Sequence, residues 1–245
     1  MFKRRVLAAC LLFAAAALAR AETLVFEGRA RDPDSGRHLY TEQHRVRLDE
    51  RGGYLSSSVT YVDSRGETIA VKEVDFDDSQ AAPSFRFHDL RTGSRLRVDA
   101  GDSRLSVSYR GGGRERDTDL DIDAQARVVI DAGFDRFIQQ EWEALLEGRT
   151  QAFQFLHAPR ARLMEFEIVK AGESGTTVDF LIRPAGFLLG LLVEPVRLTY
   201  AADARRLLRY RGVTNIAREA GGVVRDEHYV ATIEYAYPRI STRRY

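Results

Sequence analysis

Apolar and polar residues alternate along many short segments of this chain, and the segments end at Gly, Asp, Ser or Pro. Such alternation is typical of antiparallel strands that place one face on a core and the other in water. In residues 104–109, for example, Leu105, Val107 and Tyr109 share one face. Glycine-containing turns such as residues 51–53 favour tight hairpins between the segments. The pattern predicts an antiparallel meander with strands at 23–30, 37–48, 54–62, 67–76, 84–90, 95–99 and 104–109.

One segment has the period of a helix instead of a strand. Its apolar residues recur at intervals of three, one, four and three, and Gly148 follows as a stop signal. They are Phe134, Phe137, Ile138, Trp142 and Leu145. We therefore expect one long helix over residues 134–147, with Asp131 or Asp135 capping its start. Strands are predicted to resume at 151–156, 162–169, 176–182, 196–200, 206–210 and 228–237, with a loop at 217–224.

These elements favour an α+β fold in which antiparallel β-structure predominates. The expected architecture is a curved sheet or half-barrel packed around one long helix, with an N-terminal β-meander. The pattern breaks most clearly between residues 111 and 125, which separates a meander at 22–125 from a helix-containing half-barrel part at 126–245. Both this division and one continuous domain fit the sequence.

Residues 1–21 have the composition of a secretory signal peptide. Residues 3–5 are basic, residues 6–18 are apolar, and residues 19–21 form an A-x-A cleavage site. As a helix the apolar run would span only about 20 Å, which is short of the roughly 30 Å hydrocarbon core of a bilayer. We therefore expect cleavage after Ala21, export to the periplasm and no integral membrane span in the mature protein.

Composition limits the chemistry that the chain can perform. Its formal net charge is +1, so no strong overall field would attract DNA or RNA, and a nucleic-acid partner is not expected. The single cysteine, Cys10, leaves with the predicted signal peptide, which excludes disulfides and thiolate chemistry in the exported chain. The five histidines lack the spacing of a metal site, and no phosphate-binding loop or nucleophile elbow occurs. We accordingly expect no metal and no cofactor, and we assign no catalytic residue.

The acidic residues 117–123 carry Asp at every second position, a spacing that also occurs in calcium loops. The Gly and Glu that such a loop requires at its sixth and twelfth positions are replaced here by Ile122 and Val128. We therefore interpret the run as a solvated edge or connecting loop.

Two sets of residues are candidates for ligand binding. An uncharged run at 185–193 either fills the core or covers an apolar pocket. Together with the apolar helix face, it gives a predicted apolar ligand site at Phe134, Phe137, Ile138, Trp142, Leu145, Phe187, Leu188 and Leu191. Within residues 209–215, Arg209, Tyr210 and Asn215 are expected to form a polar mouth that hydrogen-bonds a headgroup or acidic ligand. The alternative interpretation of residues 209–215 is an ordinary strand end with a turn.

Three motifs carry a resemblance to known proteins. The segment DAGFDRF at 131–137, the pair Glu141-Trp142 and the segment LLRYRGVTNI at 207–216 resemble uncharacterised exported (periplasmic) proteins of Gram-negative bacteria. The resemblance covers mainly residues 126–237 and implies a place in the bacterial envelope, without a mechanism. A long helix among antiparallel strands also resembles, at the level of the fold, the half-barrel lipoprotein and lipid carriers LolA and LolB. Those carriers are smaller and have no counterpart of the N-terminal meander.

The sequence favours a periplasmic, non-enzymatic binding or carrier protein for a lipid or other apolar ligand. The apolar surface of the helix and of residues 185–193 exceeds what one sheet face needs, and apolar cavities suit acyl chains. The expected partners are a lipid or acyl-chain ligand and an envelope protein. Two alternatives stay open: a structural or interaction protein of the cell envelope without a small ligand, and a carboxylate-dependent enzyme. An outer-membrane barrel is disfavoured because neither face of residues 37–48 is apolar throughout.

Overall fold

Fifteen strands form one sheet in the computed structural model, which describes residues 22–185 and 195–238. The first eight are β1 (Glu22–Arg31), β2 (His38–Leu48), β3 (Tyr54–Asp63), β4 (Thr68–Asp75), β5 (Ser84–Asp89), β6 (Ser94–Ala100), β7 (Arg104–Gly111) and β8 (Arg114–Asp121). Then come β9 (Val128–Val129) and two helices, α1 (Gly133–Gln140) and α2 (Trp142–Leu146). The last six strands are β10 (Gln151–His157), β11 (Arg162–Ser174), β12 (Thr177–Pro184), β13 (Val196–Ala201), β14 (Arg206–Ala220) and β15 (Val223–Ala236). The prediction of a predominantly antiparallel β-protein is confirmed.

One long-range strand pairing joins the two halves of the chain. The strand order is β8-β7-β6-β5-β4-β3-β2-β1-β15-β14-β13-β12-β11-β10-β9. β1 pairs antiparallel with β15, from Glu27 opposite Ala236 to Arg31 opposite Thr232, whereas the short β9 runs parallel to β10. β8 and β9 form the two edges and do not pair with each other in the described ranges. Strand pairing therefore does not close this sheet.

Two hydrogen bonds to one carboxylate demonstrate that the sheet is strongly curved. Tyr54 on β3 and Tyr200 on β13 donate to Asp135 of α1 at 3.2 and 2.9 Å. In the strand order β3 and β13 are five spacings apart, which is about 24 Å in a flat sheet at roughly 4.8 Å per spacing. Two tyrosine side chains cannot bridge that distance, so the sheet must wrap around α1.

The single long helix predicted over residues 134–147 is wrong. The backbone leaves helical values at Glu141 (φ −90°, ψ 10°), although the Glu141 N–H still bonds to the Phe137 carbonyl. Two short helices of 8 and 5 residues result. The buried residues Ile138, Trp142 and Leu145 keep their apolar face on either side of this kink. Because the hydrophobic period continues through the kink, the period alone could not reveal it.

The predicted capping of the helix by Asp131 or Asp135 is also wrong. The N-cap of α1 is Ala132, and no side chain hydrogen-bonds to the helix start. Both carboxylates are instead used by distant partners, since Lys72 binds Asp131 and Tyr200 binds Asp135. These tertiary contacts outweigh a cap, which is worth about 1 kcal/mol.

The loop predicted at 217–224 is a tight turn between two long strands. β14 continues to Ala220 and β15 begins at Val223. Gly221 and Gly222 connect them with φ values of 62° and 76°, the positive values that two-residue hairpin turns require. Residues 209–215 therefore lie within β14, and their interpretation as a strand end with a turn is also wrong.

Buried apolar residues of the described chain form three clusters. The first surrounds α1 and α2 and includes residues of β10 to β14. The second lies on β1 to β4 with β14 and β15. The third combines Val98 and Val107 of the meander with Ile130 and Leu156 from the second half. Residues on both sides of the predicted boundary at 125 thus share a cluster, while the division into domains stays a prediction.

The outer edge formed by β8 is almost wholly charged. Its sequence is RERDTDLD, and most of its residues are exposed. Arg110 on β7 binds Asp117 of this edge at 2.8 Å. Charged edge strands resist pairing with other chains. In the described ranges, none of the helices is long and apolar enough to cross a membrane.

Candidate functional site

The predicted apolar residues of the helix lie against the concave face of the sheet. Phe137, Ile138, Trp142 and Leu145 are all buried, and Phe134 is half-buried against the same cluster. The ring of Trp142 lies 5.4 Å from that of Phe180 and 5.7 Å from that of Tyr200. The remaining apolar candidates, Phe187, Leu188 and Leu191, fall outside the described residues. A ligand role for this set stays a prediction.

Two of the three residues predicted to form a polar mouth contact the segment at residues 131–134. Asn215 donates to Asp131 at 2.8 Å, and the Tyr210 ring lies 6.4 Å from the ring of Phe134. Tyr210 therefore links the predicted polar set to the predicted apolar set. Arg209 is exposed on another face, where the nearest carboxylate is that of Glu234 at 3.9 Å. That face carries a shallow depression of about 290 Å³.

Asp135 ties α1 to both sides of the curved sheet. Its Oδ1 accepts from Tyr200 and its Oδ2 from Tyr54 and Gln139, at 2.9, 3.2 and 3.0 Å. Burial raises the pKa of Asp135 above its usual value, and the hydrogen bonds from Tyr200 and Tyr54 oppose that effect only in part. Both carboxylate oxygens are occupied by donors from the protein.

A second buried carboxylate, Asp131, lies four residues earlier and has the opposite electrostatic character. Lys72 Nζ is 2.7 Å from its Oδ2, and Asn215 donates to its Oδ1. Burial alone would raise the pKa of Asp131, but the charge of Lys72 and the hydrogen bonds from Lys72 and Asn215 outweigh it and lower the pKa. The Asp131 backbone has a φ of 42°, which is uncommon for a residue other than glycine.

Neighbouring carboxyls whose pKa values shift in opposite directions are typical of acid–base pairs in enzymes. In Asp131 and Asp135, however, every carboxylate oxygen already accepts a hydrogen bond from the protein. This arrangement is typical of a structural network that fixes the segment between β9 and α1 to the sheet.

A third buried carboxylate, Glu42 on β2, lies in a row of aromatic residues across the concave face. It pairs across the sheet with Tyr61 on β3 and with Gly28 on β1, and Gly28 pairs with Tyr235 on β15. A Cβ on Gly28 would lie 2.6 Å from the Tyr235 ring, so that ring lies directly over the glycine. Glu42 Oε2 accepts from the Tyr235 hydroxyl at 3.2 Å and contacts His44 Nε2 at 2.9 Å.

The charge of Glu42 affects four tyrosines, of which two are buried and two are half-buried. For each of them burial is the main cause that raises the pKa of the hydroxyl, and the charge of Glu42 is the second. These tyrosines are Tyr40, Tyr61, Tyr210 and Tyr235. Their hydroxyls therefore remain protonated at any physiological pH and can act as hydrogen-bond donors.

Sequence reasoning did not identify Glu42, Lys72 or Asp131 as members of a buried polar site. One signal was present, because Tyr40, Glu42 and Val46 alternate along β2 and all prove to be buried. A charged residue on the apolar face of an alternating strand is a candidate for a buried polar role. In the described part of the chain, no group of three or more metal-binding side chains could hold a metal ion.

Comparisons with known proteins add little beyond the fold. No protein-family model and no curated protein matches this chain. It is similar to the crystal structure of a beta-barrel-like protein of Domain of Unknown Function DUF1849 from Brucella abortus, with 9% sequence identity and a TM-score of 0.46. The match covers 88% of this chain and 94% of that chain. Similarity at this level carries no functional argument, and the predicted resemblance to LolA and LolB stays a prediction.

Proposed function

We propose that this chain is a non-enzymatic binding or carrier protein for an amphipathic ligand, such as a lipid or another molecule with an acyl chain. The observation that carries the proposal is the wrapping of the sheet around α1, recorded by the bonds from Tyr54 and Tyr200 to Asp135. A sheet that curves in this way has a concave face where a ligand can be enclosed.

The mixed character of that face supports an amphipathic ligand over a purely apolar one. Tyr210 and Tyr235 each pack against two apolar clusters, and the Tyr235 hydroxyl also binds the buried carboxylate of Glu42. Apolar surface and polar groups therefore lie side by side. Ligand sites commonly combine a mostly apolar lining with a few polar groups that fix orientation.

We assign the apolar part of the ligand to the side of α1 that carries Phe134. This residue is only half-buried, and its ring lies near that of Tyr210. The proposal includes export to the periplasm, which rests on the signal-like composition of residues 1–21.

Calorimetric titration with two neutral alkyl glucosides tests the proposal, because they differ only in chain length. Each buried CH₂ contributes about 0.8 kcal/mol, so octyl glucoside should bind more than about tenfold tighter than butyl glucoside. The Phe134→Ala variant should weaken octyl glucoside binding. Val25→Ala is the matched control, because Val25 is 46% exposed. Absence of octyl glucoside binding, or equal affinity for both glucosides, would contradict the proposal.

A further inference from the structure

Glu42 differs from Asp89, Asp131 and Asp135 in having one oxygen without a partner among the described residues. Asp131, Asp135 and Asp89 each have both oxygens bound by protein donors. For Glu42, the tyrosine and histidine contacts both fall on Oε2. Its Oε1 accepts no hydrogen bond from the described residues. This oxygen is nevertheless not fully enclosed by the protein. The Glu42 side chain is 8% exposed, so Oε1 keeps a small accessible surface although the residue is buried.

Among the described residues, no lysine or arginine forms an ion pair with Glu42. The ion-pair contact of Glu42 there is with His44 at 2.9 Å. The buried cation of Lys72 is paired with Asp131 at 2.7 Å. Buried charges are normally paired because removing them from water is costly. The free oxygen of Glu42 is therefore suited to a positive group supplied from outside the chain.

Aromatic rings surround Glu42 on the concave face. Tyr61 is its direct cross-strand neighbour, and the Tyr235 ring reaches it across Gly28. Tyr40 and His44 precede and follow it by two residues on the same strand face, and the rings of Tyr40 and Tyr61 lie 6.0 Å apart. Faces of aromatic rings attract cations, and several rings around a carboxylate are a known way to bind organic ammonium groups.

We propose that Glu42, with the partly exposed ring of Tyr235 beside it and the buried rings of Tyr40 and Tyr61 packed behind it, binds the positively charged organic ammonium group of the amphipathic ligand. This inference rests on the proposed function and adds the chemical class of the ligand's polar end. The carboxylate supplies charge pairing through Oε1, and the Tyr235 ring supplies cation–π attraction in a site with little water.

The test uses two amphiphiles of equal alkyl chain length and opposite charge, decyltrimethylammonium and undecanoate, below their micelle concentrations at pH 8, where undecanoate is ionised. Calorimetry with the full exported chain should show that the cationic probe binds at least about tenfold tighter than the anionic probe. Octyl glucoside serves as the neutral reference.

Three variants locate the charge preference. Glu42→Gln keeps the size of the side chain and removes its charge, so it should weaken binding of decyltrimethylammonium at least about tenfold and should change octyl glucoside binding far less. Glu42→Asp retains the charge and should retain the preference for the cation. Glu73→Gln on the exposed face of β4 is the matched control and should behave as wild type. Melting temperatures establish that each variant is folded.

The outcomes separate the two proposals. If octyl glucoside binds but wild type binds both charged probes equally, the ammonium site is wrong while the proposed function stands. The same conclusion follows if folded Glu42→Gln retains the cation preference. If none of the three probes binds wild type, the proposed function fails and the ammonium site fails with it. If Glu42→Gln does not fold, the comparison of the cationic and anionic probes with wild type still tests the ammonium site.

Discussion

Lys72 and Lys170 show how strongly burial changes the contribution of an ion pair. The Lys72 and Asp131 side chains are 9% and 12% exposed, whereas Lys170 and Glu173 are 24% and 52% exposed. The first pair also connects β4 to the segment before α1, while the second joins neighbours on one strand. Removing one member of a buried pair leaves the other charge without compensation.

We therefore expect Lys72→Met to lower the free energy of unfolding by about 3–5 kcal/mol, because Asp131 would remain buried and unpaired. Lys170→Met is the matched control and should change the free energy by less than about 1 kcal/mol. Urea denaturation of both variants checks the prediction. Similar small losses in the two variants would show that Asp131 is not a buried partner of Lys72.

The raised pKa of Asp135 predicts a specific dependence of stability on pH. A carboxyl whose pKa rises on folding binds its proton more tightly in the folded state, so its contribution is favourable below the unfolded value and is lost as pH rises through the folded value. Wild type should therefore gain stability relative to Asp135→Asn as pH is lowered from about 7 to about 4. Asp119→Asn, at a side chain that is 58% exposed, should show no such trend. If the difference in stability between wild type and Asp135→Asn did not change with pH, the raised pKa of Asp135 would be contradicted.

For single residues, the sequence predicted which side chains are buried on the helix face, but it did not predict which partners the aspartates bind. Trp142, Ile138 and Leu145 were predicted to share a face and are buried, because a helical period reports directly on burial. Asp131 and Asp135 were predicted as caps, since local sequence shows which groups could bond to the helix start. It does not show that Lys72 or Tyr200 will compete for them from 59 and 65 residues away.

Among the elements, a glycine on β1 makes room for a tyrosine side chain of β15. At Gly28 a Cβ would lie 2.6 Å from the Tyr235 ring, closer than side chains tolerate, whereas at Gly101 a Cβ would meet the Arg104 carbonyl at an ordinary 3.5 Å. The absence of a side chain at Gly28 therefore lets Tyr235 reach Glu42 across the strand.

We expect Gly28→Ala to displace Tyr235 and to lower the free energy of unfolding by about 1–3 kcal/mol through overpacking. Gly101→Ala should be neutral or stabilising by up to about 1 kcal/mol, because it restricts the unfolded chain. Chemical denaturation measures both effects. If the two variants had equal stability, the close approach of Tyr235 to β1 would be refuted.

Most strands could be predicted because alternation is a local signal, and the predicted starts of β3, β5, β7, β10, β11, β13 and β14 coincide with those observed. The errors occurred where local signals were weak. The kink at Glu141 does not interrupt the hydrophobic period. The distal half of the β14–β15 hairpin contains Ala, Arg and Glu, which do not favour strands, and cross-strand pairing determines its structure instead.

For the whole molecule, curvature could be expected from the sequence and strand pairing could not. The pairing of β1 with β15 joins residues about 200 positions apart, and no local pattern encodes it. The row containing Tyr61, Glu42, Gly28 and Tyr235 exists only because of that pairing. This is why the buried site around Glu42 was absent from the predicted ligand residues.

The measurement that tests the central claim most directly is native mass spectrometry of the protein purified from its own cell envelope. An amphipathic ligand enclosed by the sheet should co-purify, and the complex should carry an added mass of one lipid-sized molecule that organic extraction releases. The ligand-free chain should then regain this mass on incubation with the extracted lipid fraction. A protein that carries no small molecule and takes none up, or that co-purifies instead with a stoichiometric protein partner, would contradict the account.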